Sequence, residues 1–318
     1  MRQYKLTVVA WKYNDIYYAM STPEFRNTSK HERLLIYFAK NKLKNTQFPG
    51  VEHFENVICL PWSDSQIKNL LYLPRIYKSC HLYRTKCLSL SNPYLTINMF
   101  LAKILHASEI IVLEDGLMNY YPKSPNSYPL KNLTMKILGV SYEEMIDRMS
   151  ATYLWRPDLG ATCWGEVRKL NAGSSIIPKN IGEDIISALS DKAIFVDTPI
   201  YKGVNAVISK EEYQQLINRI INTYHIDYYL PHAFSDNDVT VNIPTLDIYS
   251  RQLTLEYLAM ACNFKVYSLV STLLVSTRFI NPSIHTCFID IDKFDKTLTK
   301  FIRENSSETV KISSLQQH

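Results

Sequence analysis

Along the chain, short runs of β-branched and other apolar residues alternate with longer stretches whose apolar positions recur every three to four residues. That alternation predicts βαβ units built around parallel sheets. Leu6 to Ala10 and Ile110 to Leu113 read as buried strands and Val57 to Leu60 as a further one. The spacing of Phe100, Ile104 and Leu105 predicts a helix just before Ile110. Leu133, Ile137, Leu138, Met145 and Met149 predict helix over Lys131 to Met149, with Gly139 as its weak point. Residues 155–190 hold two prolines and four of the eight glycines, a composition that reads as the connection between domains placed at 1–170 and 171–318.

The pattern then restarts. Ala193 to Val196 is a strand, and Ser209 with Glu212 forms an S-x-x-E capping box at the head of a helix. Tyr213, Leu216, Ile217, Ile220, Ile221 and Tyr224 fall on one face of that helix. Strands at Ile226 to Leu230, Lys265 to Val270 and Thr286 to Ile291, with helices near Leu253 to Ala261 and over Asp292 to Glu304, complete a second Rossmann-like unit. The expected class is α/β with parallel sheets, and no internal repeat is present.

Composition narrows the function. The 318 residues carry 35 Lys and Arg against 30 Asp and Glu, a net +5 that suits an anionic substrate or membrane surface but falls short of a nucleic-acid footprint. The six cysteines lack C-x-x-C spacing, so reduced structural thiols are expected rather than a disulfide framework or a zinc cage. The apolar run before Lys12 and Asp15 is too short for a signal peptide, and nowhere do 18 apolar residues run together. A cytoplasmic location without a membrane span is the expectation.

Ligands of open parallel sheets bind beyond the carboxyl ends of the strands, so the residues that follow each predicted strand are the candidates. These are Glu114-Asp115-Gly116, Asp197-Thr198-Pro199, Pro231-His232 and Ser271-Thr272. Two adjacent carboxylates at a buried strand end repel each other, which suits one of them to act as a general base, with Gly116 permitting the turn that presents them. The same pair would also serve simply to end the strand in solvent. His232 can donate to a phosphate and stabilise a leaving group, although a lone histidine more often has a structural role. Ser271 and Thr272 can hold phosphate at a helix start or act as a plain cap. Neither G-x-G-x-x-G nor a Walker A loop occurs, which counts against dinucleotide oxidoreductases and P-loop NTPases.

The run IIVLEDGLMNYY, followed by YYLPHAF and then VYSLVSTLL, resembles the bacterial sialyltransferases of glycosyltransferase family 52 from about residue 75 onward. The order acidic-acidic-Gly, His-Pro, Ser-Ser/Thr carries the resemblance, with Ala233 standing where the family has proline after the histidine. It implies a GT-B type α/β fold, two Rossmann-like domains with parallel sheets facing a central cleft. It also implies an inverting, metal-independent transfer from CMP-sialic acid, with no cofactor, to a terminal galactose of a lipooligosaccharide or capsular glycan, most often as an α-2,3 product. The acidic motif falls on Glu114, Asp115 and Gly116 as the acceptor side. Pro231-His232 and Ser271-Thr272 fall on the donor phosphate. The base stays open between Asp115, Glu114 and Asp197. Lipid-linked acceptors imply a peripheral contact with the inner face of the bacterial inner membrane, and a homodimer is compatible with the sequence.

Two rivals stand beside this reading. Asp236-Asn237-Asp238 matches a D-x-D pattern that could hold a divalent cation beside a sugar nucleotide. Alternatively, the 22 tyrosines and 12 phenylalanines, with basic segments such as Arg75, Lys78, Arg84 and Lys86, could serve a glycan-binding protein without catalysis.

Overall fold

The computed structural model describes residues 2–40, 50–63, 66–120, 129–171, 183–202, 206–232, 238–248 and 253–312. The chain divides into two compact units, Met1–Pro178 and Lys179–His318. In the first, the described strands in chain order are β1 (Arg2–Ala10), β2 (Arg33–Lys40), β3 (Asn56–Trp62), β4 (Tyr83–Leu90), β5 (Glu109–Leu113), β6 (Met149–Leu154) and β7 (Glu166–Lys169). They form one sheet in the order β3-β2-β1-β4-β5-β6-β7, with every neighbouring pair parallel. In the second unit, β8 (Ala193–Val196), β9 (Tyr228–Leu230), β10 (Lys265–Ser268), β11 (His285–Asp290) and β12 (Glu308–Lys311) pair, again all parallel, as β12-β11-β10-β8-β9.

Central strands of such sheets are covered on both faces and therefore read as unbroken apolar runs. Leu34, Leu35 and Ile36 of β2, Ile110 to Leu113 of β5 and Phe288 and Ile289 of β11 are fully buried in this way. Each unit has its own core. Leu88, Leu101, Ile104, Ile110 and Val112 belong to the first and Phe195, Ile217, Ile220, Leu269 and Ile289 to the second. The helix Lys210–Tyr224 lays Tyr213, Leu216, Ile217, Ile220 and Ile221 on the second sheet, with the Ser209–Glu212 capping box present at its start.

Three expectations are corrected. The helix expected over Lys131 to Met149 is two helices, Pro129–Leu138 and Tyr142–Ile146, and Met149 opens β6. Gly139 adopts φ +59°, a left-handed residue that ends the first helix, and Lys103 Nζ donates to the carbonyls of Leu138 and Gly139 at 3.0 and 2.8 Å. The stretch 155–190 is not only a connection: Glu166–Lys169 adds β7 to the first sheet, and Glu183–Leu189 is helical. The last helix starts at Lys296 rather than Asp292, because Asp295 is its cap, accepting from the Leu298 amide at 2.9 Å.

Candidate functional site

In the first unit, β1 and β4 are the neighbours from which the chain winds outward in both directions, the switch point at which open α/β sheets bind ligands. Three adjacent strands end there. Lys12 follows β1, Asn92 follows β4 and Asp115 follows β5. All three meet: Lys12 Nζ pairs with Asp115 Oδ1 at 3.0 Å, and Asn92 Nδ2 donates to Asp115 Oδ2 at 3.1 Å. The Asp115 amide donates to Asn119 Oδ1 at 2.7 Å, fixing the turn that Gly116 makes at φ +59°. Asp115 stays a fifth exposed at its side chain, so its held carboxylate faces solvent at the sheet edge.

Glu114 is placed differently. It is fully buried, and its Oε2 accepts from the Tyr120 hydroxyl and from the Trp155 amide at 2.8 Å, tying the end of β5 to the end of β6. A carboxylate that the sequence did not single out for chemistry feels the charge of Asp115: Asp15, in the first turn of the helix Tyr13–Met20. Its Oδ2 accepts the amides of Trp11 at 2.8 Å and Lys12 at 3.1 Å, while its buried Oδ1 has no hydrogen-bond partner. Burial raises the Asp15 carboxyl to about 6, Asp115's charge adds to the rise, and Lys12 and the two amides oppose it. Asn98 completes the edge, accepting from Trp11 Nε1 at 3.2 Å and donating to the Asn92 carbonyl at 2.6 Å.

In the second unit the switch point lies between β8 and β10, and β9 flanks β8 on its other side. Asp197 and Thr198 leave β8, Pro231 and His232 leave β9, and Ser271 and Thr272 lie between β10 and the helix Leu273–Ile280. Asp197 is buried and accepts from the hydroxyls of Tyr213 and Tyr229 and from the His232 amide. Burial pushes its carboxyl up, while those donors and the His232 ring pull it down. Asp197 is thus a hub that anchors the start of the His232 loop. Ser268 Oγ donates to the Val196 carbonyl at 2.8 Å and lies 3.3 Å from Thr198 Oγ1, so hydroxyls stitch β8 to β10 at the same edge. Ser271 Oγ accepts the Leu273 amide at 3.2 Å, and both Ser271 and Thr272 are part-exposed. Imidazole, hydroxyls and a helix start on three adjacent strand ends form an edge able to receive an anionic oxygen.

Of the D-x-D pair, Asp238 is engaged by Lys202 Nζ at 2.9 Å, which holds its carboxyl below the usual range. Asp236 and Ala233 lie outside the described residues. Among the described residues no group of three or more His, Cys, Asp or Glu could hold a metal ion, and no helix is long and apolar enough to cross a membrane. Lys12, Asp15, Asn92 and Ser268 were not marked by sequence reasoning. For Lys12 and Asn92 the available signal was a position just after a strand end, and for Lys12 the strand itself was legible.

Two units, each a parallel sheet with its polar groups at the carboxyl edge, define the class as an α/β fold of the GT-B type. The particular likeness is to spinosyn forosaminyltransferase SpnP, with a TM-score of 0.54 over 97% of this chain and 85% of that one. At 10% identity the likeness is one of fold alone. A structure from Listeria monocytogenes assigned as a UDP-N-acetylglucosamine 2-epimerase (TM-score 0.49, 10% identity, 97% of this chain and 84% of that) is also similar. So is the E. coli ADP-heptose LPS heptosyltransferase II (TM-score 0.39, 11% identity, 98% and 90%). Likenesses as faint as these two do not bear on function. No protein-family profile matches the sequence, and no curated protein matches it.

Proposed function

We propose that the chain is an inverting sialyltransferase that moves sialic acid from CMP-sialic acid to a terminal galactose of a bacterial lipooligosaccharide or capsular glycan, as an α-2,3 linkage. The observation that carries the reading is the Lys12–Asp115–Asn92 arrangement: one partly exposed carboxylate, both oxygens held, at the switch point of the first sheet. In the reaction, Asp115 takes the proton of the acceptor hydroxyl as that oxygen bonds to the anomeric carbon, and the bond from that carbon to the phosphate oxygen breaks. In the second unit, His232, Ser271 and Thr272 are the groups this reading assigns to binding a donor phosphate, with no metal required. Glu114 and Asp197 are not the base in this reading, since both are buried, whereas the Asp115 side chain is a fifth exposed. The forosaminyltransferase-like fold supports glycosyl transfer as the class, and the motif resemblance supports sialic acid as the sugar.

The test is incubation with CMP-sialic acid and labelled lactose. Wild type is expected to form sialyl-lactose in excess EDTA, and Asp115→Asn and His232→Ala are each expected to lose at least about two decades of turnover. Transfer from a different sugar nucleotide would replace the donor, and loss of turnover in EDTA would favour the metal-dependent rival. Binding of the glycan with no cleavage of any donor would leave the non-catalytic one.

A further inference from the structure

Among the described residues, the large hydrophobic side chains left in solvent are gathered on one side of the first unit. Leu71 (74% exposed) and Tyr77 (51%) lie on the helix Gln66–Cys80, Leu82 (57%) just beyond it, and Leu133 (54%) and Ile137 (74%) on the helix Pro129–Leu138. Only Val167, on β7, falls elsewhere. The two helices flank the helix Thr96–Ile104 on the same sheet face, where Ile76 and Cys80 from one and Met135 and Leu138 from the other pack into a single core with Phe100, Leu101 and Ile104. The inward faces therefore supply the core, and outward positions of such helices are ordinarily polar.

Charge is distributed to match. These helices of 15 and 10 residues carry Lys68, Arg75, Lys78, Lys131 and Lys136 and no Asp or Glu. Taking these five from the chain's 35 basic residues leaves 30 against 30 acidic ones, so the whole net charge of +5 resides on this pair of helices. Leu71, Arg75 and Lys78 are spaced i, i+4 and i+7, and Leu133, Lys136 and Ile137 i, i+3 and i+4, which sets apolar and cationic side chains on common outward faces. Glu143, Glu144 and Asp147 belong to the next helix and its cap, beyond the turn at Gly139.

We propose that this face docks the protein on an anionic phospholipid bilayer, the cations meeting headgroups while Leu71, Leu133 and Ile137 enter the interfacial layer and Tyr77 sits at headgroup depth. A second copy of the chain would set two such cationic faces against each other, and a nucleic acid would leave the apolar side chains in water. An anionic lipid surface satisfies both. The contact is peripheral, since neither helix can span.

Co-sedimentation of the full chain with vesicles of phosphatidylcholine alone, or of phosphatidylcholine with phosphatidylglycerol, tests this. The readout involves no sugar transfer, so it stands or fails apart from the proposed reaction. Wild type is expected to sediment with the anionic vesicles and to be released by salt. The pair Leu71→Ser and Ile137→Ser, which leaves every charge in place, should weaken binding at least about tenfold, with circular dichroism and Tm unchanged. The set Arg75→Glu, Lys78→Glu and Lys136→Glu should remove the preference for phosphatidylglycerol. Absence of sedimentation, or serine variants that bind like wild type, would overturn the proposal. So would a dimer in analytical ultracentrifugation that these substitutions dissociate.

Discussion

The carboxylates Glu114 and Asp115 are adjacent in sequence, yet they do different work. Glu114 is a buried strut between two strand ends, and Asp115 is a held carboxylate at the edge. Glu114→Gln keeps an acceptor oxygen for Tyr120 and Trp155 and is expected to retain turnover within about tenfold. Asp115→Asn is expected to lose about two decades or more, and steady-state kinetics on lactose separates the two. Asp15 makes a pH prediction. Its carboxyl is raised from 3.8 to about 6 by burial, so the folded chain holds a proton that the unfolded chain releases between those values. Wild-type stability should therefore gain on that of Asp15→Asn as pH falls through about 6 toward 4, by up to roughly 3 kcal/mol in denaturant titrations. Lys12→Met removes a charge that favours the ionised form, and the upper edge of the same window should move to higher pH.

Elements were legible where their own residues enforced them. The capping box at Ser209 and the single apolar face behind it specify the helix Lys210–Tyr224 locally, and Ser209→Ala should cost about 1 kcal/mol of stability in thermal unfolding. By contrast β7, with the sequence Glu-Val-Arg-Lys, has no apolar run and is a strand only because β6 offers it an edge to pair with. The helix expected through Met149 failed at Gly139, where local backbone preference outweighed a continuing apolar period. Gly139→Ala would force a β-carbon into a left-handed position, 2.8 Å from Lys103 Nζ, and is expected to cost about 1–2 kcal/mol, read by the same unfolding measurement.

At the scale of the molecule, the two cores share no residue. Leu101→Ala in the first and Ile220→Ala in the second should each destabilise by about 2–5 kcal/mol, and the double variant should be additive within about 0.5 kcal/mol in a denaturant cycle. By itself the sequence determined the class: apolar runs of strand length, helical periods between them and polar residues after strand ends are local properties, and they dictated parallel α/β units with candidate groups at Glu114, Asp115, Asp197, His232, Ser271 and Thr272. Only the tertiary structure decided which of those groups are struts and which are presented. Lys12 and Asp115 are 103 residues apart in sequence, Asn92 comes from a third strand end, and Asp197 meets Tyr229 and the His232 amide only because β8 and β9 are neighbours. Pairing order across a sheet is set by the summed packing of whole elements, and no short stretch of sequence encodes it.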